Sequence, residues 1–240
     1  MILFIEIVAV LCAFVIKGMC GFANTLIFGS IMSFAANNVN ITPMELLVGY
    51  PSNIYIVWKE RKGVSLKVCL PLAALVVLGI VPGMLFLKNG NTGHLKILFG
   101  LVVILCGIDM LLRERAVKAG KQSKLTLAFI GIVSGIFCGL FGVGALLVAY
   151  ISRTTENQMQ FRSNLCAVFL IENTFRIILY ACTGIFTIAI VKQAFLLLPF
   201  MFLGLILGRV LSKKSGEKVV ARIVIVLLIL SGISLILTNF

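Results

Sequence analysis

The chain has 240 residues, 61% of them hydrophobic and only 12% charged, with a mean hydropathy of +1.16. A soluble domain carries about 25% charged residues, so the composition excludes one and leaves an all-α polytopic membrane protein. The formal net charge of +13 does not point to nucleic acid, because the lysines and arginines gather in short loops between apolar runs, as they do in cytoplasmic loops of membrane proteins.

A spanning helix needs about 20 apolar residues. Such runs occupy 1–36, 68–87, 95–112, 125–151, 163–191, 193–211 and 219–237. The opening MILFIEIVAVLCAFVI lacks the basic n-region and small-residue cleavage site of a signal peptide and is expected in the mature protein. The run 1–36 is interrupted by KGMCGFANT (17–25). After it comes TPMELLVGYPSNIYIVW (42–58), a poorly apolar segment that carries Pro51 and Asn53. A basic stretch, RERAVKAGKQSK (113–124), then precedes a second interrupted run, whose break reads SGIFCGLFGVG (134–144).

The seven cysteines lie within or at the ends of apolar runs with no C-x-x-C pair, and His94 is the single histidine. That pattern predicts small buried hydrophobes and no disulfide framework, metal site or cofactor.

The chain reads as a duplication. Residues 78–112 align without a gap to 203–237, which sets Gly79 on Gly204, Gly83 on Gly208 and Gly107 on Gly232. Upstream, Asn53 falls on Asn173, and Cys20-Gly21-Phe22 faces Cys138-Gly139-Leu140. The predicted organisation is a first membrane repeat (1–112), a basic cytoplasmic linker (113–124) and a second repeat (125–240). Each repeat has a glycine-broken segment and three further transmembrane helices.

Charge decides how the broken segment runs. If it crosses once, the lysines and arginines other than Lys17 and Arg176 divide ten against nine. If it returns to its starting side, they divide sixteen against three, as the positive-inside rule requires. A straight helix over 1–36 would also be about 54 Å long, against a core of about 30 Å. A re-entrant hairpin and two short crossings both satisfy this. Each repeat then makes an odd number of net crossings. The predicted architecture is therefore an inverted-topology duplication in the plasma membrane, with both termini extracytoplasmic.

Transporters of this design bind substrate near the midplane, where broken segments meet. Glycine lets the backbone turn and lets a ligand approach, and a restarted helix offers N–H groups and a positive dipole to an anion. Gly21, Gly139, Gly142 and Gly144 are candidate substrate-binding positions on that ground; small residues also simply permit close helix packing. In IENTFRIILY (171–180), Glu172 and Arg176 share a helical face. Arg176 has the planar fork that fits an oxyanion, Asn173 flanks it, and Glu172 is the candidate proton carrier; the alternative is a structural ion pair. Asn53 is a candidate from the matching weak segment. Lys17 either holds the anion or snorkels to the interface, and Asn24 either contacts substrate or caps the restarted helix. Glu6, Glu45 and Asp109 are further acids in or near the spans, Asp109 spaced to pair with Arg113.

KGMCGFANTLIFGSIMS (17–33) resembles the first-segment signature K-G-x-x-G-F-G-x-x-L of the sulfite exporter TauE/SafE family, also called the toluene sulfonate uptake permease family. SGIFCGLFGVGALLVAYISR (134–153) resembles its second-repeat signature, continued by FRSNLCAVFLIENTFRIILYACTG (161–184), and SGISLIL (231–237) resembles its closing helix. The chain departs at Ala23-Asn24, where the family continues with glycine, and at Ala145-Leu146, where relatives often have Gly-Pro or Pro-Pro. The resemblance implies transport of a small organosulfur or related anion, coupled to a proton or sodium gradient. The expectation is a non-enzymatic permease working by alternating access. Its partners would be a small anion, the bilayer and a coupling ion, with no nucleic acid and no preference as to oligomeric state. The alternative is a substrate-capture subunit that needs an energising partner.

Overall fold

The computed structural model describes residues 2–33, 41–89, 124–141, 144–215 and 217–237, with scattered helical positions between 97 and 111. Among them every regular element is helical. The first half supplies α1 (Ile2–Cys20), α2 (Asn24–Ser33), α3 (Ile41–Lys59), a 3-10 turn (Arg61–Gly63) and α4 (Leu66–Asn89). The second supplies α5 (Lys124–Phe141), α6 (Ala145–Thr154), α7 (Gln158–Cys182), α8 (Ile188–Lys214) and α9 (Glu217–Leu237). Among the described residues four segments, α1, Leu66–Gly83 of α4, α7 and α8, are long and apolar enough to cross a membrane. Phe4, Phe129 and Phe195 stand exposed on the outside, a surface suited to hydrocarbon rather than to water.

The two interrupted runs behave alike. Run 1–36 ends its first helix at Cys20, passes through Gly21 (φ +89) and Ala23 (φ +71), and restarts at Asn24. Run 125–151 divides between Phe141 and Ala145. The restarted helices α2 and α6 have ten residues each, about 15 Å, or half of a hydrocarbon core of about 30 Å. They start 121 residues apart and end 121 residues apart. That register corrects the pairing of Cys20-Gly21-Phe22 with Cys138-Gly139-Leu140 by three residues. Gly139 lies inside α5, not in the break. The residue in register with Gly21 is Gly142, which lies outside the described residues.

The run 163–191 also divides differently from its hydropathy. α7 begins earlier, because Asn157 accepts a bond from the Gln160 amide (2.9 Å) and so caps it. It stops at Cys182, where Gly184 takes φ +70 and the Ile185 amide turns back to the Tyr180 carbonyl (3.0 Å). Thr187 then caps α8 through the Ile190 amide (3.3 Å).

The most extensive helix pairings are α1 with α8 and α4 with α5. Each joins the two halves of the chain. A Cβ on Gly204 would meet the Leu11 carbonyl, and one on Gly208 the Val15 carbonyl. On α4, a Cβ on Gly79 would meet the Ile132 carbonyl, and one on Gly83 the Ile136 carbonyl. In both crossings two glycines one turn apart bring the backbones together, and the helices run parallel. Helices α3 and α7 run antiparallel. Tyr50 and Thr174 share a hydroxyl bond (3.0 Å) midway along α3, and Asn164 takes the Ser65 amide (2.7 Å) and gives to the Gly63 carbonyl (3.0 Å) just beyond its end.

Candidate anion-binding site

The last turn of α1, the front of α3 and the second half of α7 bring four charged side chains into the protein interior. Lys17, in the last turn of α1, has 1% exposure, so it does not snorkel to an interface. Its ammonium lies 5.7 Å from the centre of the Phe14 ring and within electrostatic reach of Glu45 and Glu172. Glu45 stands one turn into α3, also buried, and its Oε1 accepts the side-chain amide of Asn24. The Asn24 side-chain amide thus ties the start of α2 to α3. From α7, Arg176 gives Nη1 to Glu172 Oε1 (3.1 Å) and Nη2 to the Tyr180 hydroxyl (3.3 Å). Glu45 also feels the Arg176 charge. Two cations and two carboxylates make the group electrically balanced, as a low-dielectric interior demands.

Balance of charge is not saturation of hydrogen bonds. Arg176 Nε is buried without a partner. Asn53, at 1% exposure, has neither its carbonyl oxygen nor its amide nitrogen bonded. A buried polar group left unpaired costs roughly 1–3 kcal/mol, and native structures keep few of them. The Arg176 Nε and the Asn53 Nδ2 are donors to which an oxyanion could bond.

The remaining predicted positions divide. Asn173 is half-buried beside Glu172. Gly144 is buried at the start of α6, where a Cβ would meet the Phe169 ring at 2.6 Å. At Gly21 a Cβ would meet Arg162 Cγ at 2.7 Å, and its carbonyl accepts from Cys166 Sγ (3.3 Å). At these two breaks protein atoms occupy the space beside the glycine. Gly139 sits in α5, away from the restart of α6.

Sequence reasoning passed over Glu45 as one acid among several and gave Tyr180 no role. The signal for both was spacing: Tyr180 continues the Asn173–Arg176 stripe by one turn, and Glu45 occupies the weak span that holds Asn53. Arg162 shares the helical spacing of Asn173, Arg176 and Tyr180, whereas Arg209 counted only as a topogenic charge. The structure ties them together. Glu60 Oε1 accepts from Arg162 Nη2 (3.1 Å) and from Arg209 Nη2 (2.8 Å), joining the end of α3 to the start of α7 and the end of α8. Among the described residues no cluster of His, Cys, Asp and Glu has the makings of a metal site.

A family model described as sulfite exporter TauE/SafE matches residues 6–235. The chain is similar to a protein of Cupriavidus necator named "Probable sulfite/organosulfonate exporter TauE". The two are 26% identical over 172 residues, covering 68% of this chain and 67% of that one. No solved structure matches. Nothing in these likenesses supports the substrate-capture alternative.

Proposed function

The chain belongs to the sulfite exporter TauE/SafE family, and from that premise we propose that it is a secondary transporter moving sulfite, an organosulfonate or a related small carboxylate across the plasma membrane. The observation that carries this reading is Arg176, a fully buried guanidinium with one nitrogen unsatisfied, set in a charge-balanced group. The anion binds Arg176 through the free edge of its fork and takes hydrogen bonds from Asn53, with Asn173 at the margin. Lys17 supplies positive potential, while Asn24 fixes Glu45.

An anion added to a neutral buried group leaves one uncompensated charge, which is costly in low dielectric. A proton on Glu172 removes that cost and frees Arg176 to turn to the substrate. Transport is then coupled to protons at one per unit of substrate charge. The units that rock about the group in alternating access are the two glycine crossings, α1 on α8 and α4 on α5, each built from one helix of either half.

Two observations support a first segment that returns to its starting side in each half. Antiparallel packing of α3 on α7, and the joining of Glu60, Arg162 and Arg209, place the end of α3 level with the start of α7 and the end of α8. A single crossing would put them on opposite sides. The repeats are then inverted, with basic loops in the cytoplasm and termini outside.

The test is flux of sulfite and of methanesulfonate by the purified chain in proteoliposomes under an imposed pH gradient. Uptake or efflux that follows the gradient and is lost in Arg176→Gln is the expected result. Flux indifferent to Arg176 overturns the reading.

A further inference from the structure

The second polar group, Glu60 with Arg162 and Arg209, has a composition that a structural ion pair does not need. One carboxylate meets two guanidinium groups, so the cluster carries one excess positive charge. The arginine side chains are 15% and 17% exposed, and Glu60 6%. A partly buried cation without a counter-charge is expensive. The bonding is lopsided as well. Glu60 Oε1 serves both arginines while Oε2 has no partner, and Arg162 Nε and Arg209 Nη1 are buried donors without acceptors. Arg162 Nη1 is held by the Met19 carbonyl and by Ser212 Oγ, both at 3.3 Å, and the Arg209 guanidinium lies 5.3 Å from the centre of the Tyr55 ring. The groups that hold the forks in place are therefore distinct from the donors left open.

Place adds to composition. The cluster lies at the ends of the helices next to the basic loops. It is built from α1 and α3 of one half and α7 and α8 of the other, and Arg162 packs on Gly21 at the first break. From these observations we propose that Arg162 and Arg209 form a second oxyanion site, at the cytoplasmic mouth of the pathway, where the incoming anion displaces Glu60 from the two guanidinium groups. Two forks with open N–H donors match the tetrahedral or pyramidal oxygens of a sulfonate or sulfite. Glu60 acts as the resident stand-in: with no anion bound it ties the two halves together, and an anion that takes its place releases that tie. The proposal rests on the reading above for the identity of the anion, the pathway and the cytoplasmic side.

The experiment uses the full chain in detergent, titrated calorimetrically with sulfite and with methanesulfonate. The background is the double variant Glu172→Gln/Arg176→Gln, which removes both members of the central pair and leaves no unpaired charge there. One binding event should survive in it. Adding Glu60→Gln should tighten that event several-fold, because a competitor is gone. Adding Arg209→Gln should weaken it ten-fold or more, with Arg209→Lys between. Binding that disappears in the double variant, or that survives unaffected by Glu60→Gln and Arg209→Gln, overturns the second site and leaves the central one standing. No binding of either probe even to the unaltered chain overturns both. If Arg209→Gln does not fold, Glu60→Gln decides: a merely structural tie predicts a lower melting temperature with unchanged affinity, and that result also overturns the proposal.

Discussion

Arg176 Nη1 lies 3.1 Å from Glu172 Oε1, one helical turn away on α7, and both side chains are 2% exposed. A pair so placed admits two uses. As a strut, each partner exists to neutralise the other. As a site, the arginine is held by Glu172 and Tyr180 and offers its remaining nitrogen to a ligand. The unpartnered Nε favours the second.

Stability and binding separate the two. Removing one member of a buried pair strands the other's charge and costs about 3–5 kcal/mol, so Glu172→Gln and Arg176→Gln should each melt lower. The double variant should recover most of that loss. Central-site binding of methanesulfonate should nevertheless stay lost in it, because the fork is gone, and Arg176→Lys should bind weakly. A double variant with restored melting temperature and undiminished central binding removes Arg176 from the site.

Glu172→Gln on its own should keep exchange of substrate across proteoliposome membranes while losing its acceleration by a pH gradient. Flux that still follows the gradient in this variant places the coupling proton elsewhere, with Glu45 next to examine.

Ala23 supplies a prediction about strain. Its φ of +71 falls in the left-handed region, which costs a non-glycine residue about 1–2 kcal/mol. The family signature has glycine at this place. Ala23→Gly relieves the strain and gives back roughly 0.5–1 kcal/mol in unfolded-chain entropy, so the variant should gain up to about 1 kcal/mol, a rise of roughly 2–4 °C in melting temperature. A lower melting temperature would mean that the alanine methyl packs usefully enough to outweigh its backbone.

Much of this was legible in the sequence, for reasons that particular residues make plain. The glycines of the ungapped alignment, Gly79 with Gly204 and Gly83 with Gly208, make the same helix crossing in both halves; close packing leaves glycine no substitute, so its register survives. Cys-Gly at 20–21 and at 138–139 misled, because a break is fixed by backbone dihedrals, and nothing in the letters distinguishes a glycine in a helix from one at its end. The isolation of Arg176 and Glu172 in an apolar run was enough to single them out. The role of Glu45 was not, because its partners Asn24 and Lys17 come from α2 and α1, and only the folding back of the broken segment brings them together. For the same reason the joining of Glu60 to Arg162 and Arg209, which come from three separate segments, was not legible.

Orientation can be measured directly. Alkaline phosphatase, which is active only outside the cytoplasm, should be active when fused to the C-terminus and inactive when inserted in the 113–124 linker. The reverse pattern would discard the returning first segment and, with it, the inverted arrangement of the halves.

Asn53 offers the sharpest separation of fold from function. Its amide is buried with both polar atoms unbonded, so in the absence of substrate it costs the protein stability. Asn53→Leu replaces it with a side chain of similar size that has nothing to satisfy. If Asn53 is kept for the anion, this variant should melt at the same temperature or a few degrees higher, by the roughly 1–3 kcal/mol of an unpaired polar group less any misfit of shape. It should also transport methanesulfonate at least ten-fold more slowly at a given concentration. Asn53→Asp tests the sign of the ligand, since a carboxylate there should repel an anion and abolish binding while leaving the chain inserted. A leucine variant that is less stable and transports normally would place Asn53 in the packing of α3, and the anion's hydrogen bonds would then have to come from Asn173 and Arg176 alone.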